Sequence, residues 1–125
     1  MEIKLSDSEI RVMEVLWREG PTEARRVAEQ MAERFGWNVN STYTLLKRCI
    51  AKGAAERREP GFVCRALVSQ EAVQRSETEK LLDRVFDGAA DKLFTALLGS
   101  GRLTPAQLRE LKKQVEALEA AEAEE

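Results

Sequence analysis

Between Trp37 and Arg65 the chain carries a helix pattern and then, without a gap, a hairpin pattern, and this junction restricts the fold more than any other feature. Thr42, Leu45, Leu46, Cys49 and Ile50 stand at offsets of 0, 3, 4, 7 and 8, the spacing that lines up side chains along one helical face. Asn40, Tyr43, Thr44, Lys47, Arg48 and Ala51 repeat those offsets two residues out of phase, so amides, hydroxyls and two cations share the opposite flank. A helix over 40–52 must therefore lock one side into a small scaffold and leave the other uncommitted. Lys52 suits the negative end of the helix dipole, and Gly53 can take the left-handed cap that other residues resist. Ala54 to Arg58 and Phe62 to Val68 then alternate as strands do. Between them Glu59-Pro60-Gly61-Phe62 places Pro and Gly at the central positions of a type II turn, with Gly61 at positive φ. Arg57, Arg58 and Arg65 fall on or beside this two-stranded wing.

Two helices precede this unit. Leu5-Ser6-Asp7-Ser8-Glu9-Ile10 is a helix entry, with Ser6 as N-cap, Glu9 at the capping-box position and Leu5 set to staple against Ile10. The first helix would turn Ile10, Met13, Leu16 and Trp17 inward and end at Gly20-Pro21. Thr22 is placed to cap a second helix reaching about Phe35, with a narrow stripe of Ala24, Val27, Ala28, Met31, Ala32 and Phe35, and Gly36 ends it. Three helices followed by a hairpin form a winged helix-turn-helix, expected over residues 1–70. Its polar helix flank offers what a major groove accepts, hydrogen-bonding groups for base edges and cations for phosphates.

The charge of the whole chain hides this. Its 125 residues carry a formal net charge of −2, which by itself argues weakly against a nucleic-acid partner. Residues 37–65, however, hold six cations (Lys47, Arg48, Lys52, Arg57, Arg58, Arg65) against Glu56 and Glu59, a net of +4. Residues 1–68 have 12 cations and 10 anions, net +2, while residues 69–125 have 8 and 12, net −4. Phosphate responds to the field within a Debye length of about 8–10 Å, so a basic patch works on an acidic protein. There is no histidine and there are two cysteines, Cys49 on the apolar helix face and Cys64 in the wing, placed as small buried thiols rather than as a disulfide. That leaves almost no ligands for a transition metal, and neither a metal nor any other cofactor is expected. No apolar run is long enough to span a bilayer, and no signal-peptide core stands at the N-terminus, so a cytoplasmic protein without a membrane partner is expected.

From Glu71 the composition shifts to helix formers. Leu81, Leu82, Val85 and Phe86 form one apolar cluster. Ala89, Leu93, Phe94, Leu97 and Leu98 form a second after Gly88, which separates two helices or bends one. Gly99-Ser100-Gly101 is a break. Thr104 then caps a last helix with Pro105 at N1, Gln107 completing the box and Leu103 stapled to Leu108. Leu108, Leu111, Val115 and Leu118 follow at spacings of 3, 4 and 3, the seam of a packed helix pair, and 119–125 is an acidic, alanine-rich stretch expected to fray. Residues 71–125 are thus an all-helical segment near the size at which a chain buries too little surface alone. A second copy is the natural partner, with Leu82, Val85, Phe86, Ala89, Leu93, Phe94, Leu97, Leu108, Leu111, Val115 and Leu118 as the association residues. The fold class is mainly α, an α+β protein with an N-terminal winged helix-turn-helix and a C-terminal helical dimerisation domain.

Leu5-Ser6-Asp7-Ser8-Glu9 with Val12-Met13-Glu14-Val15-Leu16-Trp17, and Trp37 leading into Thr44-Leu45-Leu46-Lys47-Arg48 and Lys52-Gly53, resemble the penicillinase and methicillin-resistance repressors and their copper-responsive relatives. The resemblance runs from Leu5 to about Leu118. It implies a winged helix followed by a helical dimerisation domain, and repression by covering operator palindromes. In well-known relatives a lysine and an arginine of the reading helix contact DNA beside a threonine. Thr44 matches that threonine, whereas Asn40 and Tyr43 stand where the cations do. Asn40 retains the means to bond adenine, and Tyr43 is suited either to a phosphate or thymine methyl or to packing. Antibiotic-responsive members are inactivated, on a membrane receptor's signal, by cleavage at an Asn-Phe bond. The resemblance aligns that bond with Ala96-Leu97, a candidate regulatory cleavage region in which the cleaved pair is absent, so a regulatory protease or sensor is a candidate partner. The cysteine-rich metal motif of copper-responsive members is absent as well.

Two functions follow from these readings. One is a homodimeric repressor of a double-stranded DNA operator, with Asn40, Ser41, Tyr43, Thr44, Lys47 and Arg48 at the groove, Arg57, Arg58 and Arg65 on phosphates, and half-sites about one or two helical turns apart. The alternative is a dimeric protein-interaction adaptor on a winged-helix scaffold without strong DNA binding. An enzyme is not expected, since the chain has no histidine, no glycine-rich phosphate loop and no nucleophile beside a base.

Overall fold

A computed structural model describes residues 3–124. The elements, in order, are α1 (Asp7–Glu19), β1 (Thr22–Glu23), α2 (Ala24–Phe35), α3 (Val39–Ala51), β2 (Ala55–Arg58), β3 (Val63–Ala66), α4 (Gln70–Val85), α5 (Ala90–Gly99) and α6 (Pro105–Ala123). They divide into two compact units, Met1–Glu77 and Thr78–Glu125, with the division falling inside α4. Among the described residues no helix is long and apolar enough to cross a membrane.

The first unit begins as its capping grammar dictates. The Ser6 hydroxyl accepts the Glu9 N–H and the Glu9 carboxylate accepts the Ser6 N–H, the reciprocal box that satisfies two orphan donors of a helix start. The inward face of α1 is broader than the expected Ile10, Met13, Leu16 and Trp17. Val12, Met13, Val15, Leu16 and Glu9 are buried, while Ile10 and Trp17 pack only at the margin. The reason is that α1 meets α2, α3 and the sheet together, so one stripe does not suffice. Trp17 also ties α1 to the chain just beyond the wing, because its indole N–H donates to the Val68 carbonyl at 2.9 Å.

Thr22 does not cap α2. It lies in β1, opposite Cys64, with Glu23 opposite Val63, and its hydroxyl donates back to the Gly20 carbonyl. The N-cap is Glu23, with no side-chain cap bond. The hairpin thus gains a third strand, in the order β1-β3-β2. On α2, Ala24, Val27, Ala28 and Met31 are buried as expected, but Ala32 and Phe35 are exposed. Phe35 instead stacks near Trp37, ring centroids 5.4 Å apart, beneath the Arg11 guanidinium at 4.6 Å. Gly36 ends α2 in the left-handed region.

The turn between β2 and β3 spans 59–62. Gly61 has the expected positive φ of 90°, and Phe62 also lies in the left-handed region at φ 50°, with a cis Glu59–Pro60 bond before them. This is more than a type II turn requires. The Glu59 carboxylate holds it by accepting the Phe62 N–H at 3.1 Å.

In the second unit, Asp87 and Gly88 at positive φ separate α4 from α5. Thr104 and Gln107 form the capping box of α6, with Pro105 in its first turn. That helix runs to Ala123 and so includes most of the acidic, alanine-rich stretch over 119–125. Glu125, like Met1 and Glu2, lies outside the described residues. None of the described residues of α4, α5 or α6 is buried.

Candidate nucleic-acid interface

The apolar flank of α3 is committed to the core: Thr42, Leu46 and Cys49 are buried and Leu45 and Ile50 partly so. On the other flank Asn40, Ser41, Thr44, Lys47 and Arg48 are exposed. The helix starts at Val39 rather than Asn40, because the Asn38 side chain caps it by accepting the Asn40 N–H at 2.8 Å. At its other end Lys52 is the C-cap residue, and its ammonium reaches the Glu9 carboxylate at 2.5 Å and the Lys4 carbonyl at 2.8 Å. Lys52 therefore fastens α3 to the start of α1 and is not a free cation. Burial raises the pKa of Glu9, but the Lys52 ammonium and the Ser6 N–H together outweigh it and hold the carboxyl below its ordinary value near 4.5. Glu9 is 2% exposed and the Lys52 side chain 39%, so the pair at the foot of the exposed flank is buried at its carboxylate end and open at its ammonium end.

Not every exposed group on α3 is equally available. The Thr44 hydroxyl donates to the Asn40 carbonyl at 3.0 Å, which leaves its methyl group and its acceptor lone pairs for a partner. Tyr43 is half-buried and its ring stacks on Phe62, centroids 6.3 Å apart and planes 20° apart. Of its two candidate roles, packing is thus present in the free protein. Lys47 and Arg48 have no carboxylate partner among the described residues. Arg48 borders an open groove of about 490 Å³ lined also by Ser8, Trp37, Asn38, Ser41, Thr44 and Leu45. Neither Ser8 nor Asn38 is among the site residues expected from the sequence. Asn38 does carry a local signal, a capping residue just before a periodic run; for Ser8 the sequence holds none, since its neighbours in the groove lie about 30 residues or more away.

The wing arginines are arranged differently from the α3 cations. Glu56 faces Arg65 across the antiparallel pair and shares its face of the ribbon with Arg58, whereas Arg57, one residue on, belongs to the other face. Arg57, Arg58 and Arg65 therefore do not present one common row. Each also touches a carboxylate. Arg58 Nε lies 3.1 Å and an Arg65 guanidinium nitrogen 2.5 Å from the same Glu56 oxygen, and Arg57 binds Glu59 at 2.5 Å. Arg57 further lies over the Phe62 ring, 3.7 Å from its centroid. Hydrogen bonding from Arg58, with the charges of Arg58 and Arg65, keeps the Glu56 carboxyl below its usual range, and hydrogen bonds from Arg57 and the Phe62 N–H do the same for Glu59.

Both cysteines are free thiols and buried, and burial pushes Cys49 up to about 12 and raises Cys64 as well. Among the described residues no group of histidine, cysteine or carboxylate side chains is disposed to hold a metal ion. In the second unit, Leu82, Phe86, Ala89, Leu93 and Leu111 are half-exposed, and Val85, Phe94, Leu97, Leu108, Val115 and Leu118 are exposed, Leu118 by 69%. Ala96 and Leu97 sit exposed within α5.

Residues 5–117 match the sequence profile of the penicillinase repressors. The chain is 24% identical over 115 residues to the penicillinase repressor of Bacillus licheniformis, covering 90% of each. It is 21% identical over 111 residues to the methicillin resistance regulatory protein MecI of Staphylococcus aureus, covering 87% of this chain and 90% of that one. Among solved structures it is similar to the DNA binding domain of the repressor BlaI, with 26% identity and a TM-score of 0.52 over 56% of this chain and 88% of that domain. It is also similar to the monomeric form of Bacillus licheniformis BlaI in complex with the blaP half-operator, with 27% identity and a TM-score of 0.51 over 57% of this chain and 90% of that one.

Proposed function

This chain belongs to the penicillinase repressor family, a family of regulators rather than enzymes, and from that premise we propose that it is a cytoplasmic transcriptional repressor acting as a homodimer on a palindromic DNA operator. The observation that carries the reading is the exposed flank of α3, where Ser41, Thr44 and Arg48 border an open groove and Lys47 is exposed on the same helix, with both cations clear of carboxylates among the described residues. In this reading Asn40, Ser41, Thr44 and the exposed edge of Tyr43 meet base edges. Lys47 and Arg48 hold phosphates or guanine, and Arg57, Arg58 and Arg65 grip the backbone once the helix is seated. Support at the level of one protomer comes from the likeness to the BlaI monomer on a half-operator.

Residues 1–70 would read DNA and residues 71–125 would pair the protomers. Support for pairing comes from α5 and α6, which expose Phe94, Leu97, Leu98, Leu108, Val115 and Leu118 and have no buried residue. Apolar stripes of that kind are stable when a second copy covers them. A regulatory protease acting at Ala96–Leu97 would meet a helical segment, which it must unwind before cutting. The test is selection of bound fragments from a random duplex pool, followed by salt titration of the selected sequence. A repressor gives a two-fold-symmetric site and loses roughly a hundredfold or more in affinity between about 50 and 200 mM salt. An adaptor gives no enriched sequence and weak binding to every duplex.

A further inference from the structure

The wing has three arginines and two carboxylates, and the structure pairs them all. Glu56 takes Arg58 and Arg65, and Glu59 takes Arg57. Three cations less two anions leave the wing at +1. Such pairs do little for stability: the side chains are 47% and 56% exposed in Arg57–Glu59, 67% and 28% in Arg58–Glu56, and 48% and 28% in Arg65–Glu56, and solvent screens exposed pairs. Their effect on a polyanion is larger. A phosphate that approaches Arg58 or Arg65 must displace Glu56 or sit beside it, and like charges at that range repel, more strongly near a protein surface than in open water. Lys47 and Arg48 on α3 impose no such condition.

We propose that Glu56 and Glu59 are specificity-determining residues, carboxylate clamps that keep the wing arginines neutralised against the DNA backbone until α3 has found its sequence. The inference rests on the repressor reading and deepens it. Phosphate contacts supply affinity without sequence information. On a duplex that α3 does not recognise, phosphates are not held in place against the arginines and meet the repulsion of Glu56 and Glu59; removing these carboxylates would therefore strengthen non-operator binding more than operator binding, and the ratio of operator to non-operator affinity would fall. The clamped wing adds its grip only where base contacts by α3 have already brought phosphates within reach.

The experiment uses the full chain and two probes, a duplex of scrambled sequence and the duplex selected from the random pool, with binding followed by fluorescence anisotropy across a salt series. Glu56→Gln and Glu59→Gln are each compared with Glu33→Gln, which removes the same charge from an exposed site on α2. Glu59 also accepts the Phe62 N–H, so Glu56→Gln is the variant that changes wing charge without touching the turn. Each wing variant should bind the scrambled duplex about 3- to 10-fold more tightly and steepen the salt slope by about 0.9 per protomer, while affinity for the selected duplex changes less. If the wing variants move scrambled binding no more than Glu33→Gln does, or tighten both duplexes equally, the clamp is refuted and the repressor reading stands. If neither the natural chain nor any variant binds a duplex with salt dependence, the repressor reading fails, and the clamp with it.

Discussion

Replacing Lys52 by Met should destabilise the protein in a way that depends on pH, because it strips a buried carboxylate of its main partner. Glu9 is 2% exposed, and its contacts are the Lys52 ammonium at 2.5 Å and the Ser6 N–H at 2.8 Å. Breaking a fully buried pair costs about 3–5 kcal/mol. Here the lysine end is 39% exposed, which lowers the expectation to about 2 kcal/mol at neutral pH, or about a 30-fold change in the folded-to-unfolded ratio. The sign follows from Glu9. Its folded pKa lies below the ordinary 4.5, so the stability it contributes is present above that value and is lost as pH falls through the folded pKa. Without Lys52, burial is opposed chiefly by Ser6, the folded pKa moves above the unfolded one, and the carboxylate opposes folding at neutral pH but not in acid. The gap between the natural chain and Lys52→Met should therefore be about 2 kcal/mol at pH 7 and below about 1 kcal/mol near pH 4. Urea unfolding followed by circular dichroism at one protein concentration measures it, and the exposed pairs at Glu19, Glu56 and Glu59 cancel in the difference. A gap that is equal at the two pH values, or one under about 0.5 kcal/mol at pH 7, would refute this role of the Glu9–Lys52 pair. Adding Glu9→Gln to Lys52→Met should recover part of the loss.

Thr42 Oγ1 is buried with no hydrogen-bond partner among the described residues, so Thr42→Val should raise stability by about 1 kcal/mol in the same urea assay; a loss of stability would mean that the hydroxyl has a partner. Arg48→Ala should weaken binding to the selected operator about tenfold or more and leave the unfolding midpoint within about 0.5 kcal/mol of the natural chain, as read by anisotropy and urea titration. Phe94→Asp, at a side chain 40% exposed in the single chain, should yield monomers by light scattering, and an unchanged dimer mass would remove Phe94 from the association surface. With its thiol pushed up to about 12 and buried, Cys49 should react with a disulfide reagent at pH 8 only after the protein is unfolded.

What can be read from the sequence is mostly local. Ser6 with Glu9, Thr104 with Gln107 and Gly53 after α3 announce themselves within four residues, because capping bonds close within a turn. What cannot be read depends on distant partners. Thr22 looks like a cap in isolation and becomes a strand only through Cys64, 42 residues later. Glu9 reads as a capping residue, and its burial follows from Lys52, 43 residues away. The basic count over 37–65 is right as arithmetic, but its cations are not equivalent. Lys52 is bound to Glu9 and the three wing arginines to Glu56 and Glu59, so Lys47 and Arg48 carry the open charge. On α2, Phe35 fits the apolar period yet lies outside the core, between Arg11 and a Trp37 that itself packs at the core's margin.

The stack of Tyr43 on Phe62 joins the helix that would choose a sequence to the turn that carries the wing. A lineage that replaced Tyr43 to address a new half-site would loosen the wing in the same step, unless a change at Phe62 followed. Divergence of operator preference in such a protein should therefore proceed through paired substitutions at these two positions, or through Asn40 and Ser41, whose side chains carry no such tie among the described residues.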